Sequence, residues 1–295
     1  MAKNLISLVQ LGTIDYATGL RLQEKLVALR KEARIGDVLL LLEHTPVITL
    51  GRNAKADNVV APPKLLSQRG VQLFETNRGG DVTFHGPGQI VAYPIFDLRG
   101  YANPAAEPSS SRKHLGAVDF VRRLEEVLIR TCADFAIETK RIPGLTGVWT
   151  NPSPLSSRAE QDDSKNRPAQ SRDLLFADAT TNAESKLAAI GIHVSRSVTS
   201  HGFALNVNTD LSFFNLIIPC GITAKPVTSM QQQLGKELDL NAVSESVSRN
   251  FGTVFQSQML WVDSLESLLS ETIGVPMKPP SELRKLHKED DTTWA

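Results

Sequence analysis

Two cysteines occur in the 295 residues, and they keep different company. Cys220 lies in LIIPCGI, residues 216–222, between a proline and a glycine at the end of an apolar run. A thiol that only packs is usually on the inner face of a helix or strand. One in a tight Pro/Gly turn can serve as a nucleophile whose approach stays open. Lys186 opens KLAAIGIHV and is followed by small apolar residues. Its ammonium is a candidate for a partly dry site, where desolvation lowers an amine's pKa and a neighbouring thiolate raises it again. The plainer reading is a lysine marking a strand end in water.

A third feature is the block RGGDVTFHGPGQIVAYPIFDL, Arg78 to Leu98, with four glycines and a proline in its first eleven residues. Such a backbone is kept bare, so that a substrate can lie against exposed N–H groups. Arg78 and His85 are polar groups this loop can aim at a ligand. A glycine-rich hairpin between two strands is the competing reading. GLTGVWT (144–150) and SHGFALNV (200–207) share the pattern of small residues beside a strand.

The elements that must hold these groups can be read from periodicity. Leu22, Leu26 and Leu29 share a helical face that Gly36 can end, and Val38 to Leu42 reads as a strand buried on both sides. Val121, Leu124, Leu128, Cys132 and Phe135 recur at helical spacing, with arginines and glutamates opposite, which makes Cys132 an ordinary core residue. KLAAIGIHV and HGFALNVNTDL read as neighbouring strands, the second with Phe203, Leu205 and Val207 inward and Asn206 and Asn208 outward. Val243, Val247, Val254 and Phe255 mark another helix. DSLESLLSETIG marks a last one, capped by Asp263 or Ser264 and stopped by Gly274. The interleaving predicts a mixed α/β domain.

Residues 151–173, rich in Ser, Pro, Asn, Gln and charge, read as a disordered surface insertion with too little to bury. The expected division is one catalytic domain over 1–275 and a polar tail over 276–295.

Composition narrows the function. With 32 basic and 32 acidic residues the formal charge is zero, which argues against broad binding to nucleic acid. No apolar stretch approaches a membrane span, and two cysteines make no disulfide framework. There is no G-x-S-x-G elbow, no P-loop (Gly235-Lys236 is followed by Glu) and no H-E-x-x-H helix. No metal or other cofactor is expected. The N-terminus lacks the layout of a secretory or mitochondrial leader.

EHTPVITLGR, RGGDVTFHGPGQIVAYPI, GLTGVWT, KLAAIGIHVSRSVTSHGFALNVNTDL and IIPCGI, in this order between Glu43 and Ile222, resemble the successive blocks of the lipoyl(octanoyl) transferases. The resemblance implies the mixed sheet with packed helices of the biotin and lipoate protein ligases. It implies transfer of an octanoyl group from acyl carrier protein to a lysine of a lipoyl domain, on 2-oxoacid dehydrogenase E2 subunits or the glycine-cleavage H protein. Cys220 matches the acyl-thioester nucleophile, and Lys186 the lysine that assists it, either as an ammonium favouring the thiolate or as a neutral base. Substrate-binding positions carry over to Arg78, Gly79, Gly80, Asp81, Val82, Thr83, Phe84 and His85, to Ala189, Ile190 and Gly191, and to Gly202, Phe203 and Ala204.

Two loops, 151–173 and the stretch near NPAAEPSSS, exceed the compact bacterial pattern and resemble eukaryotic members. That points to a mitochondrion, or to the cytoplasm if the source is not eukaryotic. A monomer is expected. The rivals are an ATP-dependent ligase of the same fold, an octanoyl-amidotransferase, and a binding module without chemistry.

Overall fold

The computed structural model describes residues 4–102, 114–151, 184–219, 225–262 and 265–269. Expectations placed on the insertion beyond Asn151, on NPAAEPSSS, on Asp263, Ser264 and Gly274, and on the tail fall outside these residues, as do Cys220, Gly221 and Ile222.

An eight-stranded sheet forms the frame. In chain order its strands are β1 (Asn4–Ile14), β2 (Asp37–His44), β6 (Gln89–Ile95), β7 (Thr139–Ile142), β8 (Leu145–Thr150), β9 (Lys186–Ser195), β10 (Val198–Asn206) and β11 (Ser257–Trp261). They lie side by side as β11-β1-β2-β6-β10-β9-β8-β7, parallel from β11 to β2 and antiparallel thereafter. A small second sheet has the order β4-β3-β5, from β3 (Val47–Leu50), β4 (Gln72–Glu75) and β5 (Val82–His85).

Period-two alternation gives the large sheet two apolar faces. Leu39, Leu41, Ile90, Ala92, Phe203 and Leu205 pack against α3 (Ala117–Asp134) and α5 (Leu240–Phe255). Val38, Leu40, Leu42, Val91, Tyr93 and Ala204 point the other way, in the layer that contains α1 (Tyr16–Lys31) and α6 (Leu265–Leu269). The 38–42 run is thus buried on both sides, as its unbroken hydrophobicity predicts.

Several local expectations are corrected. The first helix ends at Lys31, not Gly36: Ala33 takes φ +55° and turns the chain early. In α3 the stripe is completed by Phe120 and Val127, while Val121 and Phe135 are only half-buried. Glu125, expected on the wet face, is completely buried and accepts from Arg122, Arg141 and the Gly147 N–H. Asn206 is buried too, because its side chain bridges Gln89 and the Thr228 carbonyl. The glycine block is no hairpin. β5 pairs with β3 in the small sheet and β6 with β2 and β10 in the large one, so Gly86-Pro87-Gly88 carries the chain from one sheet to the other.

Phe96 anchors the helix-side core, its ring 5.4–6.1 Å from those of Tyr101, Phe120, Phe251 and Phe255. Phe96→Ala should lower unfolding free energy by about 3–5 kcal/mol in urea titration. A loss below about 1 kcal/mol would mean these rings do not act as one packed unit.

Candidate active site

A slot opens between the small sheet and the face of the large one that carries Val91, Tyr93 and Ala204. Its empty space is about 480 Å³, part of it open to solvent. The three glycine-containing stretches singled out from the sequence meet there. One wall is Arg78 to Asp81 with Thr83 and His85, and the opposite wall has Ala189 to Gly191 and Gly202 to Ala204. Antiparallel register makes the floor small: Ala204 pairs with Ala189 and Gly202 with Gly191. Side chains larger than these would fill the slot. Val82 and Phe84, expected with the others, alternate away into the core beneath the small sheet. Ile190 and Phe203 border the slot while packing towards the helix layer.

The glycines are bare mainly so that backbones can approach one another. A Cβ on Gly191 would come 2.6 Å from the Gly79 carbonyl oxygen. The Gly79 N–H already donates to Ile192 O at 2.9 Å, and the Gly88 N–H to Glu43 at 2.7 Å, so these two amides are not held open for a ligand. Arg78, expected to reach for substrate, is buried and donates to Thr49 O (2.6 Å), Thr49 Oγ1 and Gly79 O. It brings a positive charge to the slot while tying the loop to β3.

Burial keeps the histidines in and behind the slot neutral. It pushes His44 down to about 4 and, with the Arg78 charge adding to it, His85 and His201 to about 3. Neutrality fixes the tautomers. A carbonyl can only accept, so His44 Nδ1 donates to Ile14 O (3.0 Å) and the Tyr93 hydroxyl donates to His44 Nε2 (2.6 Å). Gln89 donates to Phe84 O and Asn206, which leaves its oxygen to accept from His85 Nδ1 at 2.8 Å. A buried polar chain therefore runs from His85 through Gln89 and Asn206 to Thr228.

Thr228 leads to Lys186. The lysine is 8% exposed, begins β9 as expected and is not a lysine left in water. It lines a smaller cavity of about 270 Å³ with Gln89, Asn206, Phe214, Pro219 and Val227. This cavity adjoins the slot, sharing Thr83, Ala189 and Ala204. The Lys186 N–H donates to Pro226 O (2.8 Å), and its carbonyl accepts from the Thr228 N–H (3.0 Å). On the other side of residue 220, the Ile218 N–H donates to Asn58 O at 2.7 Å, and Asp81 accepts from the Asn58 side chain at 2.6 Å. Cys220 itself is outside the described residues, but the peptides flanking its segment are tied to Lys186 and to the Asp81 loop. Cys132 is fully buried, its thiol pushed up to about 12 by desolvation.

Sequence reading missed Tyr16, Val91, Tyr93 and His201, which also line the slot. Val91 and Tyr93 were legible in principle, since alternation along QIVAYPI puts both on one face and the tyrosine hydroxyl needs a partner. Tyr16 carried no signal. His201 takes φ +55° inside a strand, held by a bond from its N–H to Gln23 and one from Nε2 to Asn77.

The lipoyl protein ligase A/B catalytic domain family matches residues 15–252, and the chain belongs to it. An octanoyltransferase of Koribacter versatilis is 51% identical over 97% of this chain and 98% of its own length. One from Acidobacterium capsulatum is 49% identical over 90% and 97%. Among solved structures, the bipartite lipoate protein ligase of Thermoplasma acidophilum superposes with a TM-score of 0.58 at 12% identity, covering 98% of this chain and 93% of that one. A lipoate-protein ligase A bound with ATP gives 0.54 at 12%, covering 98% and 95%. These two confirm the fold. The relatives are bacterial and the first matches nearly end to end, so the longer loops are no eukaryotic mark and the mitochondrial reading has no support.

Unfolded histidines titrate near ~6.5. Between that value and the depressed native ones the unfolded chain binds protons that the native chain does not, so stability falls as pH drops below about 6.5. Melting temperature should decline from about pH 7 to about pH 5, less steeply in His85→Asn. Equal melting temperatures across that window would contradict neutral, buried histidines.

Proposed function

We propose that the chain moves an octanoyl group from octanoyl-acyl carrier protein to a specific lysine of lipoyl domains through a thioester on Cys220. Octanoyl transfer is the activity for which the relatives at 51% and 49% identity are named, and it is an acyltransferase activity. The observation carrying the route is Lys186, buried in a cavity that also contains Pro219, the residue bonded to Cys220.

The steps follow from thiol chemistry. The Cys220 thiolate attacks the donor's thioester carbonyl, a new C–S bond forms, and the carrier's sulfur leaves and takes a proton. A free thiol near pKa ~8.5 is mostly protonated at neutral pH, so an amine beside it raises the reactive fraction. In the second step the acceptor amine attacks the acyl-Cys220 carbonyl, the C–S bond breaks as the amide forms, and the proton lost by the amine goes to the released thiolate. Exchange of one thioester for another is nearly balanced, so loading needs no ATP. The Ala/Gly floor with Val91 gives the acyl chain an apolar bed, at ~0.8 kcal/mol per buried methylene, and Tyr16, Tyr93 and His201 supply its polar lining.

In a bacterial cell, cytoplasmic lipoyl domains of 2-oxoacid dehydrogenases and the glycine-cleavage H protein are the acceptors, and a monomer suffices. No partner nucleic acid or membrane is part of this reading. Because the fold is shared with lipoate ligases, an ATP-dependent ligase is the second reading, though it has no use for a nucleophilic thiol.

Incubation with octanoyl-acyl carrier protein, without ATP, should give one octanoyl adduct by intact mass that chases onto a lipoyl domain. Cys220→Ser should form none, and Lys186→Ala should load far more slowly. Product formed only from free octanoate and ATP would establish the ligase. Transfer by Cys220→Ser at the parent rate would overturn the thioester route.

A further inference from the structure

Lys186 is not placed by its backbone alone. In the sheet it lies directly opposite Trp149 of β8, and its Nζ sits over the indole, 5.0 Å from the ring centroid. That is within the ~6 Å at which a cation is drawn to an aromatic face, and indole gives the strongest such attraction. The ring cannot turn freely. Trp149 is 1% exposed, and its Nε1–H donates to Leu145 O at 3.2 Å. It does not itself border the acyl slot or the lysine cavity.

Two residues before it, Gly147 makes room for the lysine. A Cβ there would come 3.1 Å from Lys186 Cε, and its φ of +124° also favours glycine. Gly147 is held in turn, its N–H donating at 3.2 Å to the fully buried Glu125, which Arg122 and Arg141 neutralise. The same indole meets a second amine, Lys225, at 5.8 Å, but that amine is ion-paired with Glu184, which also binds Lys140. Lys225 is the first described residue after the Cys220 segment. One ring thus stands between the lysine strand and the returning chain.

We propose that Trp149 is a positioning residue for Lys186, its indole face holding the ammonium of this cavity-lining lysine while the bare Gly147 lets the stem pass. This rests on Lys186 assisting Cys220, and it assigns Lys186 the role of a charged stabiliser. The ring's negative face attracts an ammonium and offers no such attraction to a free amine.

The test separates ring electrostatics from packing. Tryptophans carrying one to four fluorines have a progressively weaker negative face and nearly the same shape. They are incorporated throughout the chain, with Trp149→Phe carrying them at Trp261 and Trp294 as the control. The rate of octanoyl-Cys220 formation should fall stepwise with each fluorine, by about tenfold across the series. KM for the donor and the melting temperature should stay unchanged, and the control should be insensitive to fluorine. Trp149→Leu should lose at least as much rate, with Trp149→Phe recovering part of it. Rates that are flat across the series, or that fall only with the melting temperature, would overturn the proposal while leaving Lys186 in place. Lys186→Ala loading Cys220 at the parent rate would instead overturn the reading of Lys186 on which it rests.

Discussion

Two hydrogen bonds on the peptide groups of Lys186, one to Pro226 O and one from the Thr228 N–H, decide where the chain rejoins the sheet after residue 224. A third, from the Ile218 N–H to Asn58 O, anchors the chain just before residue 220. Between these ties lie only a few residues, Cys220 among them. Main-chain bonds of this kind do not depend on side-chain rotamers, so both flanks of the segment are fixed by backbone alone. On the proposed reading the lysine side chain is then oriented by Trp149, which Leu145 O holds, and by Gly147, which Glu125 holds.

The slot beside this arrangement exposes a mostly apolar surface, with Arg78 and Asp81 its charged residues and neutral histidines beside them. Histidines 44, 85 and 201 stay uncharged because burial costs their protonated forms too much, and each has a partner that fixes its ring. Neutral histidines accept an aliphatic chain beside them without stripping water from an ion, whereas charged ones would resist it. The floor of Ala189, Ala204, Gly191 and Gly202 adds the necessary width. On the proposed reading, small residues on adjacent strands make the room that the acyl chain needs.

Much of this was legible in the residues. The double-sided burial of 38–42, the β9–β10 pair and the place of Cys132 all follow from period and hydrophobicity. The convergence of three glycine-containing stretches was legible only through a family resemblance, since their contact is long-range. What escaped was whatever depended on a partner far along the chain. Glu125 looks like a wet-face residue until Arg141 and Gly147 arrive beside it, and Asn206 looks exposed until Gln89 reaches it. The glycine block reads as a hairpin because adjacent strands usually pair, and here β5 and β6 join different sheets.

The coupling of the thiol to the lysine is open to direct measurement by the rate of iodoacetamide labelling as a function of pH. Cys132 is buried and stays protonated over the useful range, so the reaction reports Cys220 alone. The account predicts a labelling midpoint well below the ~8.5 of a model thiol, and a rise towards that value in Lys186→Ala. The same midpoint in both proteins would show that sulfur and amine do not act together.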